Sequence, residues 1–122
     1  MKADRAQIAH LFRRAGFGAT PEELDNLTDQ KSYEDIVDEL VNPEKCDHIE
    51  DSFLDRYYSG EGVPPYVGKW LFRMVNTKRP LEEKMALFLH HIFPVAWGKS
   101  EHGPSIFTEI DMFKRVGLTN FK

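Results

Sequence analysis

The sequence predicts an all-α fold, an irregular bundle of about six or seven short helices, from three observations. Apolar residues recur at spacings of three and four along most of the chain, which is the period of an amphipathic helix. Helix-start signals, either Thr or Ser ahead of acidic residues or a Pro at the first position, stand before several of these stretches. Sustained period-two alternation and hairpin dipeptides are both missing, so a sheet is not predicted.

The first third of the chain contains the signals for three helices. Residues 4–15 have helical spacing and precede Gly16, a residue that commonly follows a helix end. A Thr, a Pro and a Glu in capping-box order open a short helix over 20–27. A Ser and two acids open a third helix over 32–41, and Pro43 stops it. The predicted apolar faces consist of Ile8, Leu11, Phe12, Tyr33, Ile36, Val37, Leu40 and Val41.

The remaining chain predicts four more helical stretches. They cover 48–58, 66–75, about 80–93 and 104–117, and the Gly- and Pro-containing run 59–65 forms an internal joint. The predicted face of the helix after Pro80 groups five apolar side chains within roughly 100° of one another. The predicted apolar residues are Ile49, Phe53, Tyr57, Tyr66, Val67, Trp70, Leu71, Met74, Val75, Leu81, Met85, Phe88, Leu89, Ile92, Ile106, Ile110 and Phe113.

Length and connections predict one helical domain over 1–122, with the joint near 59–65 inside it. Residues 95–103, which include Trp97 and Lys99, are expected to form a loop. The last five residues, 118–122, look like the opening of a further element. We therefore expect an incomplete domain, the N-terminal part of a larger one.

Charge is unevenly distributed, although the net charge is −4. Residues 1–18 carry 4 Lys and Arg against 1 acid, residues 19–62 carry 3 against 14, and residues 63–122 carry 9 against 5. Such an acidic middle repels phosphate backbones, so nucleic-acid binding is not expected. The segment 19–62 is either a solvated acidic face or a surface for a basic partner. Arg73 and Lys99 could bind anionic groups or pair with this segment.

The compartment expected from the sequence is the cytoplasm. The N-terminus lacks a signal-peptide pattern, and the longest apolar stretch, Met85 to Trp97, is interrupted by Pro94, so a membrane span is not expected. The one cysteine, Cys46, cannot form an internal disulfide. We therefore expect a soluble protein without a membrane span.

Glu83 and His90 are candidate binding residues. His90 and His91 are adjacent, so on a helix they point about 100° apart and cannot both reach one metal ion. His90 lies opposite the predicted apolar face, on the side of Glu83, but seven residues separate them by roughly 10 Å of helix rise. We expect no metal site and no cofactor. His90 is either a hydrogen-bonding histidine at the surface or between helices, or a residue with a metal-binding or general-base role.

Arg13 and Arg14 are the other two candidates. Their guanidinium groups stand beside Gly16-Phe17-Gly18, and together they could cradle an anion. The alternative is that the glycines cap the preceding helix while Phe17 folds back onto the core.

Several stretches together resemble the N-terminal region of a bacterial family known as domain of unknown function 1800. They are Ala9-His10-Leu11-Phe12-Arg13-Arg14-Ala15-Gly16-Phe17-Gly18-Ala19-Thr20-Pro21, Trp70 with Arg73-Met74, Pro80-Leu81-Glu82-Glu83-Lys84-Met85-Ala86-Leu87-Phe88-Leu89-His90, Phe93, Lys99, Arg115 and Asn120-Phe121. Members of this family commonly show Trp-His-Asn-His-Phe where this chain has Leu89-His90-His91-Ile92-Phe93, so only the first histidine carries over. The resemblance implies a helical architecture and a bacterial source, and many members of the family look exported, although this chain shows no signal peptide. It implies no established activity.

Two functional hypotheses follow from the residues and the resemblance. The first is a non-catalytic helical module whose exposed apolar edge packs on a protein partner or on a missing C-terminal part, with homo-oligomerisation possible. The second is part of a hydrolase-like or metal-assisted enzyme site that uses Arg13, Arg14, Glu83 and His90.

Overall fold

The structure, a computed structural model, describes residues 4–120 and confirms the predicted all-α class. Eight α-helices and one 3-10 turn are formed within this range, and it contains no β-strand. The helices are α1 (Arg5–Ala15), α2 (Pro21–Gln30), α3 (Tyr33–Val41), α4 (Asp51–Asp55), α5 (Val63–Asn76), α6 (Pro80–Ile92), α7 (Trp97–Ser100) and α8 (Gly103–Val116), and the 3-10 turn is Pro43–Lys45. The prediction of a loop over 95–103 was wrong in part, because this stretch contains α7.

Local sequence signals set the starts of these helices. The hydroxyl of Thr20 accepts a hydrogen bond from the Glu23 backbone N–H at 3.2 Å, and the Glu23 carboxylate accepts from the Thr20 backbone N–H at 2.7 Å. Ser32 and Asp35 form the same reciprocal pair before α3. These caps satisfy backbone donors that have no partner within the helix. Pro occupies the first turn of α5, α6 and α8, where its missing N–H costs no hydrogen bond.

Helix α6 lies between two apolar clusters. The first cluster is built by α1, α2 and α3 around buried Ile8, Leu24, Ile36 and Leu40, and Leu81 of α6 packs against it. The second is built by α5, α6 and α8, and its buried members are Trp70, Ala86, Leu89, Ile106, Ile110 and Phe113. The N-terminal end of α6 thus packs against the first cluster, and residues further along the helix belong to the second.

The face of α6 that enters the core differs from the predicted one. Its buried residues are Glu83, Ala86 and Leu89, whereas Phe88 and Ile92 are about half exposed. The small side chain of Ala86, which is fully buried, lets neighbouring helices approach this side of α6 closely. The prediction was right for Leu89, which is buried, and for Leu81, which packs against the first cluster, and it was wrong for Phe88 and Ile92 because it followed the largest apolar side chains.

Two other predicted faces are partly wrong. Within the predicted helix 48–58 only Asp51–Asp55 is helical, and Leu54 is buried there while Phe53 and Tyr57 are exposed. On α5, Trp70 is buried as predicted, but the adjacent row of apolar side chains faces outward. The expected loop-like run does separate α4 from α5, although Pro64 and Pro65 belong to the first turn of α5.

Residues 1–3 and 121–122 lie outside the described residues, and with them Phe121 of the family resemblance and the end of the element expected at 118–122. Within 4–120, none of the helices has both the length and the apolar character needed to span a membrane.

Candidate functional site

A buried polar cluster, formed by Trp70, Arg73, Glu83 and Lys114, joins three helices. Glu83 of α6 is 3% exposed and accepts a hydrogen bond from the Trp70 indole N–H of α5 at 2.9 Å. The Lys114 ammonium of α8 lies 3.8 Å from the same carboxylate oxygen. A buried carboxylate thus connects α5, α6 and α8 through two different donors.

Burial raises the pKa of Glu83 above its ordinary value. The positive charges of Lys114 and Arg73 and the indole hydrogen bond lower the pKa, and they offset the effect of burial only in part, while Glu82 on the same helix adds to the rise. The carboxyl group therefore holds its proton to a higher pH than an exposed glutamate does.

The cations of this region are less exposed than the acids that they pair with. The Arg73 side chain is 9% exposed and pairs with Asp51, whose side chain is 79% exposed. Lys69 pairs in the same way with the more exposed Asp55. Since Asp51 and Asp55 belong to the acidic segment 19–62, the expected alternative in which Arg73 pairs with that segment is confirmed.

Aromatic rings surround the Lys114 ammonium. It lies 5.6 Å from the centre of the Trp70 ring and 6.0 Å from that of Tyr66. Asp111 is its second acidic neighbour, at 3.6 Å. Both the ring faces and the two carboxylates attract a cation, so Lys114 is held in place from several sides.

Tyr66 of α5 contacts α8 through a hydrogen bond and through ring stacking. Its hydroxyl donates to Asp111 Oδ1 at 3.1 Å, and its ring stacks on Phe107 with a centroid distance of 4.2 Å and an angle of 10°. Burial, with the negative charge of Asp111 as the next cause, raises the pKa of the Tyr66 phenol, so the hydroxyl stays protonated as a donor.

A cavity of about 310 Å³ opens beside the polar cluster. Cationic, acidic and aromatic side chains line its wall: Lys69, Arg73, Lys114, Asp51, Asp55, Asp111, Tyr66, Trp70 and Phe107. Its volume is at the lower end of what small-molecule sites have. Chemically, this combination can bind a small ion or a compact polar molecule.

His90 contacts the polar cluster through the Trp70 ring. The His90 and Trp70 rings meet edge to face with their centroids 5.9 Å apart. The His90 Nδ1 atom is buried, and among the described residues it has no hydrogen-bond partner. Glu83 and His90, which the sequence places two turns apart, therefore both contact the same indole.

Arg13 and Arg14 lie elsewhere, exposed in the last turn of α1. Behind them Gly16 packs closely on Pro80, and the Gly18 N–H donates to the Phe12 carbonyl at 3.2 Å and closes the helix end. The capping interpretation of this motif agrees with that geometry. Its second half was wrong, because the Phe17 ring is 40% exposed and lies under the Lys84 ammonium.

A larger groove of about 850 Å³ runs along α1, α2 and α3 and reaches the end of α5. Phe12, Phe17 and Val75 are among the apolar residues that line it, and the Lys31–Glu39 ion pair stands at its side. None of the four candidates Arg13, Arg14, Glu83 and His90 lines this groove or the smaller cavity. The structure brings Glu83 and His90 together on Trp70 and leaves the two arginines apart from them in solvent.

Sequence reasoning missed Lys69, Trp70 and Lys114 as site residues. One signal was available: Trp70 and Arg73 share a helix face, and a buried indole N–H needs an acceptor. Lys114 could not be predicted as a site residue, because the sequence around it does not show which acid on another helix it approaches. In the part of the chain that the structure covers, no group of three His, Cys, Asp or Glu residues could hold a metal ion.

Comparison with known proteins gives one match. A family model described as "Protein of unknown function (DUF1800)" matches residues 10–122. No curated protein and no solved structure matches the chain.

Proposed function

The chain belongs to the DUF1800 family of proteins of unknown function, and from that premise we propose that it is a non-catalytic helical module that binds another polypeptide. The observation that carries the proposal is an outward-facing row on α5, which we call the α5 ridge: Val67, Leu71 and Val75. These side chains are 43%, 55% and 81% exposed. Isolated apolar residues on a surface are ordinary, but an aligned row of them favours an interface.

The spacing of the α5 ridge indicates what it binds. Its members are four residues apart and therefore form one line along the helix. Such a line packs between the side chains of a second helix, so the partner surface we propose is the apolar face of an amphipathic helix. That helix can belong to another protein, to a further segment of a longer polypeptide or to a second copy of this chain.

Two substitutions on the ridge test this proposal. Leu71→Glu and Val75→Glu place a charge on the proposed contact, and we expect them to reduce self-association or the binding of a hydrophobic dye by the chain. Size-exclusion chromatography with light scattering and dye fluorescence measure the two effects. Gln7→Glu, which adds the same charge at an exposed position of α1, is the matched control and should change neither. A monomer that binds no dye would contradict the proposal.

One observation favours an enzymatic alternative. Glu83 and His90 both contact Trp70, and His90 Nδ1 has no partner among the described residues, so the two could act as an acid and a base for hydrolysis. Arg13 and Arg14 are too exposed to share that environment without a further polypeptide. Hydrolysis of simple ester or amide substrates that is lost in a folded Glu83→Gln variant would support it, and an inactive wild-type chain would count against it.

A further inference from the structure

We infer that the cavity beside the polar cluster is a binding site for a small organic anion, one that carries a carboxylate or phosphate group on a flat apolar body. This goes beyond the proposed packing function, which uses the outer face of α5. The inference rests on the charges that line the cavity, the exposure of their partners and the aromatic wall.

Three cations border the cavity and are held by the fold. The side chains of Lys69, Arg73 and Lys114 are 26%, 9% and 12% exposed. Glu83, which accepts the hydrogen bond of the Trp70 indole, is the one buried acid among the described residues. Three cations and three acids line the cavity, and each cation is less exposed than the acid it pairs with there.

The other acids at the cavity are exposed and replaceable. The side chains of Asp51, Asp55 and Asp111 are 79%, 58% and 62% exposed. An exposed carboxylate that leaves its partner regains water, so its displacement costs little. A buried guanidinium, in contrast, needs an anion at all times. A ligand carboxylate or phosphate can therefore take the place of Asp51 at Arg73.

The aromatic side chains that line the cavity favour a ligand with a planar apolar group. The stacked Tyr66 and Phe107 rings and the Trp70 ring line the same cavity. Flat apolar groups stack on such surfaces, so a ligand with a planar body gains contacts that a bare ion lacks. This predicts a stronger response to an aromatic carboxylate than to inorganic phosphate.

Titration of the 122-residue chain with benzoate and with inorganic phosphate tests the inference. In a Trp97→Phe background Trp70 is the only tryptophan, and its fluorescence reports on the cavity wall. We expect a saturable change with benzoate at millimolar concentrations, a weaker one with phosphate, and none with chloride at the same ionic strength. A saturable response to phosphate alone would reject the planar body, and no saturable response to either anion would overturn the site.

Charge variants separate the cavity from general surface electrostatics. Lys69→Gln should weaken benzoate binding by about fivefold, because it removes one cation, and Asp51→Asn should strengthen it by a similar factor, because it removes the competing acid. Lys78→Gln and Asp47→Asn are matched controls, since these two residues pair with each other on the surface at 3.3 Å. Equal effects in the cavity variants and the controls would overturn the inference.

Discussion

At the scale of single residues, the burial of the Glu83 carboxylate is energetically unfavourable. The carboxylate has lost nearly all contact with water, and one indole N–H and one ammonium at 3.8 Å replace the solvent. A buried charge is stable only when other groups compensate it. The raised pKa of Glu83 shows that the compensation is incomplete.

The pH dependence of stability follows from this shift. Between the pKa of Glu83 in the unfolded chain and its higher pKa in the folded protein, the folded state binds more protons. The free energy of unfolding should therefore decrease as pH rises through this window. Glu83→Gln, which resembles the protonated form, should remove that decrease. Urea unfolding of both proteins at several pH values above 4.5 measures the difference.

The control for that experiment is an exposed carboxylate on another helix. Lys114 and Arg73 face Glu83 from α8 and α5, and their positive charges lower its pKa. Glu22→Gln removes an exposed carboxylate on α2 and should leave the pH profile of the wild type unchanged. If Glu83→Gln kept the wild-type profile too, the carboxyl group would not be the source of the slope.

At the scale of helices, the contact between α1 and α6 depends on a residue without a side chain. A Cβ atom at Gly16 would lie 2.9 Å from Pro80 Cβ, closer than carbon atoms pack. The chain can therefore pass from α1 to α2 directly over the start of α6. This close approach is the structural reason for a glycine after the two arginines.

Gly16→Ala should consequently lower the free energy of unfolding by about 1–3 kcal/mol, because the rigid Pro80 ring cannot move away without shifting α6. Gly98→Ala is the control, since a Cβ at that position has nothing within 4 Å. Thermal or denaturant unfolding compares the three proteins. A Gly16→Ala variant as stable as the wild type would mean that α1 and α6 are less closely packed than the structure indicates.

Helix starts could be predicted from sequence, whereas helix orientation could not always be. The pair Thr20 and Glu23 reveals a helix start because the hydrogen bonds involved are local. The orientation of α6 depended on which side could approach α5 and α8, and small Ala86 and polar Glu83 occupy that side. Apolar periodicity alone pointed to Leu89, which is buried, but also to Phe88 and Ile92, which are exposed.

At the scale of the whole molecule, α6 couples two clusters that are each small. Leu81 packs on the first, and Ala86 and Leu89 are buried in the second. A small core stabilises a fold only weakly, so the two clusters should depend on each other through this helix. We expect them to unfold in one cooperative transition.

Leu81→Ala tests this coupling. Removing a half-buried leucine should cost about 2 kcal/mol, and the loss should reach both clusters. Hydrogen exchange should speed up at Ile36 in the first cluster and at Ile110 in the second by similar factors. Val41→Ala, which truncates an exposed apolar side chain of α3, should change neither. Faster exchange around Ile36 alone would show that the clusters unfold separately.

The sequence alone determined the helical class, most helix boundaries, the capping boxes and the membership of the family, because all of these depend on local hydrogen bonds, on periodicity or on motifs that are contiguous in the chain. Only the tertiary structure decided that Glu83 is buried, that His90 and Glu83 meet on Trp70, and that Lys114 completes the polar cluster. These contacts join residues from three helices. Their existence depends on how the helices pack, and the pattern within any one helix does not specify it.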